Sequence, residues 1–319
     1  MMRLCPESLW DSLAAADDSA TFFQTPAWHR LAARYYRAES APLLFDFAGG
    51  PACLPLLRDR RWGRARYFSP FGTYTAVVCP RALAPHEKAE IEATLKPLNL
   101  HLASSPFTRN AVSVGTPTLS RTQILNLVDF DPGQPMRGWS PDPRRKVRMA
   151  REAAVRVRFA TSADDWRAYF AVYEKSMRRW GPRASSTYPE SLFTLLRTLP
   201  ETSMRLWLAE HEGRIVAGYI AFYHNRHACI WHGASDPDFF KLGAVQLLYH
   251  DMSAHAAEAG YPVFDLLGSG GNASLEAYKA GFGATTKVYQ GSLNRTGVVG
   301  ALAAMRARLA QKRRQEPPR

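Results

Sequence analysis

Apolar residues recur at helical spacing in some stretches of the chain and in short extended runs in others. Trp28, Leu31 and Tyr35 follow helical spacing and predict a helix over 22–37. Two apolar runs follow, and the Gly49–Gly50 pair between them predicts a hairpin. The other elements predicted up to residue 128 are helices at 6–16 and 85–96 and strands at 42–47, 52–57, 67–78, 98–103 and 123–128. This alternation predicts an α/β fold with mixed sheets.

The second half repeats the alternation after a segment in which proline and glycine interrupt any regular element. The interrupting residues are Pro132, Gly133, Pro135, Gly138, Pro141 and Pro143. The elements predicted beyond them are helices at 144–153, 164–180, 189–199 and 242–259, strands at 155–160, 203–210, 215–224, 227–234, 263–267 and 285–291, and helices around Lys279 and from Val298. The predicted domains are therefore 1–130 and 144–300, joined by a linker at 131–143 and followed by a basic tail at 301–319.

Composition adds a charge bias to this picture. The 319 residues carry 41 Lys and Arg against 28 Asp and Glu, a net charge of +13 with a pI near 9.8. Such an excess favours polyanionic partners such as nucleic acid, although arginine-rich composition also occurs in proteins without them. The four cysteines lie far apart without a CxxC pair, which argues against a zinc site and against a disulfide framework. With neither a signal peptide nor a membrane span evident, the sequence predicts a cytoplasmic protein.

The segment from Phe264 to Phe282 combines features of an active site. Asp265 ends a short apolar run, a glycine turn follows at 268–271, and a helical stretch then contains a single lysine, Lys279. Lys279 borders an apolar stripe without joining it, so its cation is placed to hold an anion or a developing oxyanion. The alternative for Lys279 is a surface lysine lying over its own helix.

Two arginine clusters are candidates for nucleic-acid contacts. Arg144, Arg148 and Arg151 share one face of the helix predicted after the linker and could grip a phosphate backbone. The stretch 58–66 contains Arg61 and Arg64 beside Trp62 and is predicted to be a basic loop, a pattern suited to single-stranded RNA ends. The alternative for the helix is an ordinary solvated face.

Four motifs occur in an order that resembles the FemAB-like transferases: FFQTPAWHRL, TQILNLVDF, RRKVRMAREAAVRVR and FDLLGSGG…LEAYKAGFGA. The resemblance implies tandem GNAT-like acyltransferase domains with the active cleft in or beside the second. It also implies transfer of an aminoacyl group from aminoacyl-tRNA to an amine, while other relatives use acetyl-CoA. The family's lysine in its FKxxFG-like motif falls on Lys279, with Tyr278 in place of phenylalanine, and the preceding aspartate falls on Asp265. The coiled-coil arm of some Fem peptidyltransferases has no counterpart here.

This fold implies two central strands that splay apart around the acyl group. Our candidates are Ile230–Ala234 and Val263–Leu267, with His232 and Asp265 placed to remove the amine proton. Alternation predicts that Ile230, His232 and Ala234 share one face. The alternatives are a satisfied core histidine for His232 and a cap on the glycine turn for Asp265.

Four further residues are candidate substrate contacts: Gly243, Lys241, Tyr278 and Ser269. Gly243 opens a long helix where acetyl-CoA enzymes bind pyrophosphate, but Phe240 stands three residues before it where those enzymes have Arg or Gln. His224 and His227 flank a predicted hairpin turn, so we expect them to face solvent and to bind no metal.

The sequence leaves three functional hypotheses. The first is an acyltransferase that uses aminoacyl-tRNA as co-substrate, without a permanently bound cofactor, and acts on an amine of a peptide, cell-wall precursor or small metabolite. The second is the same fold using acyl-CoA. The third is a non-catalytic basic module that binds RNA or another polyanion.

Overall fold

The computed structural model describes residues 2–61, 63–181 and 187–294. The helices are α1 (Glu7–Ala16), α2 (Pro26–Tyr36), α3 (Pro85–Leu95), α4 (Pro141–Glu152), α5 (Ala163–Trp180), α6 (Glu190–Leu196), α7 (Ala244–Glu258) and α8 (Ala273–Ala280). The strands are β1 (Arg3–Leu4), β2 (Glu39–Ser40), β3 (Leu43–Phe47), β4 (Gly50–Leu54), β5 (Leu57–Arg61), β6 (Arg64–Phe68), β7 (Leu100–Leu102), β8 (Thr116–Asn126), β9 (Arg156–Phe159), β10 (Met204–His211), β11 (Arg214–His224), β12 (His227–Ser235), β13 (Val263–Asp265) and β14 (Thr285–Asn294). The helix expected from Val298 and the tail at 301–319 lie outside the described residues.

The described residues form two compact units, 2–120 with 289–294 and 121–288. The segment 131–140, which the sequence predicts to be a linker, belongs to the second unit, and Trp139 is part of its core. Helix α4 begins at Pro141 instead of Arg144, because proline fits the first helical turn, where its missing N–H is not needed. The functional domain bounds drawn from the sequence remain a prediction.

The first unit combines a small antiparallel sheet, β1–β3–β4, with a mixed sheet. In the mixed sheet β5 pairs with β6 in antiparallel fashion, and β6 pairs with β7 in parallel. Its core contains apolar residues of β3 and β4 and of helix α3. The stretch 58–66 is therefore a β-hairpin, β5–β6, and the prediction of a basic loop is wrong. The strand pairing satisfies backbone groups that a loop of the same composition would leave to solvent.

The second unit is built on one mixed sheet between two layers of helices. From β9 the neighbours are β10, β11, β12, β13 and β8; only the β12–β13 pair is parallel. Val147 of α4 and Leu247 of α7 share one core with Ala217 and Ala221 of β11. On the opposite face, a Cβ added at Gly218 would meet the Tyr169 ring of α5. These observations confirm the α/β fold class with mixed sheets.

Two details of the second unit bear on the histidines. The turn between β11 and β12 is present as predicted, with Asn225 in the left-handed region at φ 47°. His227 at its far side is buried, so the expectation that it faces solvent is wrong. Among the described residues, no cluster of three or more His, Cys, Asp or Glu could hold a metal ion.

No helix in the described part of the chain has the length and apolar character needed to cross a membrane.

Candidate active site

The two strands expected to splay apart do so in the structure. Strands β12 and β13 are paired in parallel from His227–Val263 to Cys229–Asp265. Strand β13 ends there, whereas β12 continues to Ser235. A gap therefore opens in the sheet beyond Asp265, at the edge where the backbone of β12 has lost its neighbour.

Two clefts meet at this gap and share Arg179, Tyr219 and Ser235 in their walls. The larger, which we call the wide cleft, has a volume of about 550 Å³. It lies between the end of β12 and the turn that follows β13. The smaller, the helix cleft, has a volume of about 350 Å³ and is lined by the first residues of α7. Because they share these walls, the two clefts adjoin each other within the second unit.

A β-bulge decides where His232 lies. Ala221 pairs with Ile230 and Ile220 pairs with His232, so Trp231 is an extra residue in β12. An extra residue reverses the alternation of side chains beyond it. Ile230 accordingly belongs to the α4–α7 core, whereas His232 lies against the rings of Tyr169 and Tyr173 of α5. The prediction that Ile230 and His232 share a face is therefore wrong.

His232 is neutral and its ring is fixed by one hydrogen bond. Burial lowers its pKa to about 3. Its Nδ1 lies 2.6 Å from the hydroxyl of Tyr169, and burial raises the pKa of that tyrosine well above its usual value. The neutral ring carries one N–H, and its other nitrogen is an acceptor. With a pKa of about 3, His232 is a weak base in the folded protein.

Lys279 lines the wide cleft, and its ammonium is held by the turn after β13. The side chain is 5% exposed. Its Nζ donates to the carbonyl oxygens of Leu266 and Leu267 at 2.8 Å each and of Gly268 at 3.3 Å. Burial lowers the pKa of Lys279 to about 8. The Lys279 ammonium therefore binds three carbonyl oxygens of the turn. The alternative interpretation, a surface lysine that lies over its own helix, does not describe this buried side chain.

Asp265 and Gln123 complete this buried polar network. Asp265 is fully buried and accepts from the Thr122 hydroxyl at 2.5 Å and from the backbone N–H of Leu267 at 2.9 Å. Leu267 takes the left-handed conformation at φ 55°. The oxygen of the Gln123 side chain accepts from Ser269 at 2.8 Å and from Lys279 at 3.4 Å. Asp265 thus caps the turn, as the alternative interpretation of this residue had it.

The helix cleft contains a helix N-terminus with a glycine that allows close approach. Gly243 has φ 78°, and an added Cβ there would collide with the carbonyl oxygen of Lys146. The cleft is lined by Lys146, Ala244, Val245 and Gln246, while Lys241 lies outside the lining. Tyr278 belongs to the same wall, where its hydroxyl accepts from Gln246 at 3.0 Å. The backbone N–H groups at the start of α7 and the Lys146 ammonium suit a phosphate group.

Tyr219 separates the two clefts. Its ring lies 5.3 Å from that of Tyr249, and burial raises its pKa to about 12. Gly233 of β12 lies directly against this ring, where any Cβ would overlap it. Tyr219 therefore has a fixed position in the gap between the diverging strands.

The predicted nucleic-acid contacts divide into exposed and internally used arginines. Arg148 is exposed, Arg144 is half-buried, and the guanidinium of Arg151 lies 3.3 Å from the His250 ring. In the hairpin, Arg64 is exposed, and Arg61 pairs with it across the strands through the backbone. Arg58 and Arg66 of the same hairpin form ion pairs with Glu39 and Asp59.

Sequence reasoning did not single out several residues that line the site. They are Tyr173, Arg179, Trp180, Tyr188, Tyr219, Trp231 and Tyr249 in the clefts, and Gln123 beneath the turn. Gln123 lies within the TQILNLVDF motif, which marks its region but not its role. The aromatic residues carry no spacing signal, because they converge from α5, β11, β12, α7 and the segment that precedes α6.

The comparisons with known proteins agree with this geometry. Residues 142–280, which include both clefts' helices α4, α7 and α8, match the family described as acetyltransferase (GNAT) domain. A search of curated protein sequences finds no match.

Solved structures resemble the chain over most of its length. FemX is 11% identical with a TM-score of 0.69, over 91% of this chain and 96% of FemX. The C-terminal domain of a putative lysylphosphatidylglycerol synthetase from Agrobacterium fabrum is 12% identical with a TM-score of 0.57, over 95% and 97%. L-PGS from Bacillus licheniformis is 12% identical with a TM-score of 0.52, over 89% and 96%. At such identities the likeness concerns the fold. Residues 142–280 thus match a GNAT acetyltransferase domain, and the resemblance to the FemAB-like fold is confirmed.

Proposed function

We propose that this protein transfers an aminoacyl group from aminoacyl-tRNA to the amine of a small acceptor. The observation that carries the proposal is the gap between β12 and β13, which joins two clefts at Tyr219. One cleft suits the phosphate of a donor, and the other is large enough for an acceptor. One structure with a similar fold is named as a domain of a putative lysylphosphatidylglycerol synthetase, and another is named FemX.

The nature of the donor rests on charge. The chain carries a net charge of +13, and exposed arginines such as Arg148 and Arg64 are available for a phosphate backbone. The 3′ end of an aminoacyl-tRNA would place the phosphodiester of its last nucleotide at the start of α7 and its ester carbonyl in the gap. Gly243 allows the close approach of α7 to α4 on which this cleft depends.

The residues of the gap have distinct proposed roles in the reaction. The neutral amine attacks the ester carbonyl, the C–O bond to the ribose breaks, and the amine proton passes to the released ribose oxygen. Lys279 holds the turn that forms one wall and supplies positive charge near the developing oxyanion. Because Asp265 is buried and the low pKa of His232 makes it a weak base, we propose that both act as positioning residues.

A titration with donors tests the proposal. We expect the purified protein to bind aminoacyl-tRNA more tightly than deacylated tRNA at matched, near-physiological salt. The reason is that only the aminoacylated form has a group that fills the gap. Equilibrium binding with each form and with acetyl-CoA provides the measurement. Equal binding of charged and deacylated tRNA, strongly dependent on salt and without transfer, would instead support the non-catalytic basic module.

An acyl-CoA donor is the second candidate, favoured by the helix cleft itself. The glycine at the start of α7 and the nearby Lys146 suit a pyrophosphate as well as a tRNA phosphate. Saturable binding of acetyl-CoA, together with acetyl transfer to an amine, would establish this donor and leave the tRNA proposal without support.

The pH dependence should report on Lys279. Its pKa of about 8 means that the ammonium that holds the three carbonyls loses its proton above this pH. The acceptor amine must be neutral, so the rate first rises with pH. We therefore expect kcat/KM to pass through a maximum and to decline above pH 8, measured with saturating donor.

The control for this decline is Lys279→Arg. Arginine stays charged in this pH range, so kcat/KM of this variant should not decline above pH 8. The titration of Lys279 would not cause this decline in kcat/KM by unfolding the protein. The folded-state pKa of Lys279 is lowered from 10.5, so between about pH 8 and 10.5 the unfolded chain binds more protons and this group makes folding more favourable as pH rises. A decline that persists unchanged in Lys279→Arg would remove Lys279 as its cause.

A further inference from the structure

One wall of the wide cleft is formed by aromatic rings from three segments. Tyr188 stacks on Trp231 with ring centroids 5.3 Å apart and an interplanar angle of 28°. Tyr173 and His232 continue the wall with ring centroids 4.5 Å apart, and Trp180 lies next to Tyr173. We call these five residues the aromatic wall. Its surface suits a planar apolar group better than a flexible polar chain.

The charged residues in the described lining of the wide cleft are Lys279 and Arg179. Arg179 also lines the helix cleft, so it lies where the two clefts adjoin. The Arg179 guanidinium is exposed and lies 4.8 Å from the centre of the Phe240 ring. Among the described residues that line this cleft, none is Asp or Glu. A carboxylate would find Arg179 here, whereas a polyamine would find no acidic residue in this lining; Asp236, which lines the adjoining helix cleft, is already ion-paired with Lys175.

We propose that the acceptor is a small amine that carries a planar aromatic ring and a carboxylate, as an aromatic amino acid does. This inference rests on the proposed function and names its acceptor class. The ring lies against the aromatic wall and the carboxylate pairs with Arg179. In an α-amino acid the amine nitrogen lies only two bonds from the carboxylate carbon. An acceptor whose carboxylate pairs with Arg179 therefore places its amine in the gap beside Tyr219. Transfer forms the amide bond to the acyl carbon, breaks the ester bond and leaves the amine proton on the ribose hydroxyl.

Neutral His232 fits this role. A protonated imidazole would place a cation among the rings and repel an acceptor that is still an ammonium ion. Burial keeps the ring uncharged throughout the physiological pH range, since its pKa is about 3. The hydrogen bond from Tyr169 fixes the ring plane, so the wall keeps its shape.

Calorimetric titration of the whole chain with L-tryptophan, without any donor, tests this acceptor class. We expect saturable binding, weaker binding of L-phenylalanine, and none of L-alanine, glucosamine or spermidine at the same concentration. Tyr188→Leu and Arg179→Gln should each weaken L-tryptophan binding at least tenfold. The matched controls Tyr36→Leu, at an exposed ring in the first unit, and Arg178→Gln, at the neighbouring exposed arginine, should not.

Three results would overturn the acceptor class: no binding of L-tryptophan, tighter binding of spermidine or glucosamine, or binding that Tyr188→Leu and Arg179→Gln leave unchanged. A melting curve for each variant separates lost binding from lost folding. The titration needs no donor, so its failure leaves the donor-binding test intact. Conversely, binding of L-tryptophan without transfer from any donor would contradict the proposed function but would support a ligand site at the aromatic wall.

Discussion

Lys279→Met should lower kcat/KM for acyl transfer by about 10²–10³-fold, the range expected when a preorganised charge at a reaction centre is removed. Methionine has a similar length but no donor, so the carbonyls of Leu266, Leu267 and Gly268 lose the cation that holds them together. The turn would relax, and one wall of the wide cleft would lose its shape. Steady-state kinetics with the donor that the titration identifies measures the effect.

The same substitution should also reduce stability, because buried carbonyl groups left without a donor cost ~1–3 kcal/mol. Chemical denaturation measures this loss separately from activity. Lys96→Met, at an exposed lysine outside the second unit, is the matched control and should change neither quantity. Full activity in Lys279→Met would show that neither the charge nor the turn that it holds contributes to transfer.

Gly233→Ala should abolish most activity with a single added methyl group. The Cβ of alanine would occupy the position of the Tyr219 ring, which is itself packed against Tyr249. The ring would have to leave its present position, where it lines both clefts beside the proposed place of the acyl group. Because misplacement of about 1 Å at a reacting centre can cost 10²-fold in rate, we expect kcat/KM to fall by about that factor or more.

The control for Gly233→Ala is Gly213→Ala in the turn between β10 and β11. Gly213 has φ 72° but no neighbouring atom within contact of an added Cβ. That substitution should cost about 1–2 kcal/mol of stability through backbone strain and leave the rate constant unchanged. Unchanged kinetics in Gly233→Ala, with the protein folded, would contradict the placement of the acyl group beside Tyr219.

Local signals account for the parts of the fold that the sequence predicted well. Helix α5 begins as expected, since Ser162 accepts from the Asp165 N–H and caps it. The Asn225–Arg226 turn between β11 and β12 is similarly fixed by residues that adopt it readily. The basic stretch 58–66 was predicted incorrectly because arginine has little intrinsic preference for a strand, and the pairing of β5 with β6 decides its structure.

The sequence by itself determined the α/β fold class, the position of the splayed strands, and the segment around Asp265 and Lys279, since each depends on residues close together along the chain. Only the tertiary structure decided what those side chains do. The bulge at Trp231 turned His232 toward α5, and three carbonyls and Gln123, 156 residues away, enclosed Lys279. Side-chain periodicity carries no information about such contacts, because strand register and buried hydrogen bonds are set by partners distant in sequence.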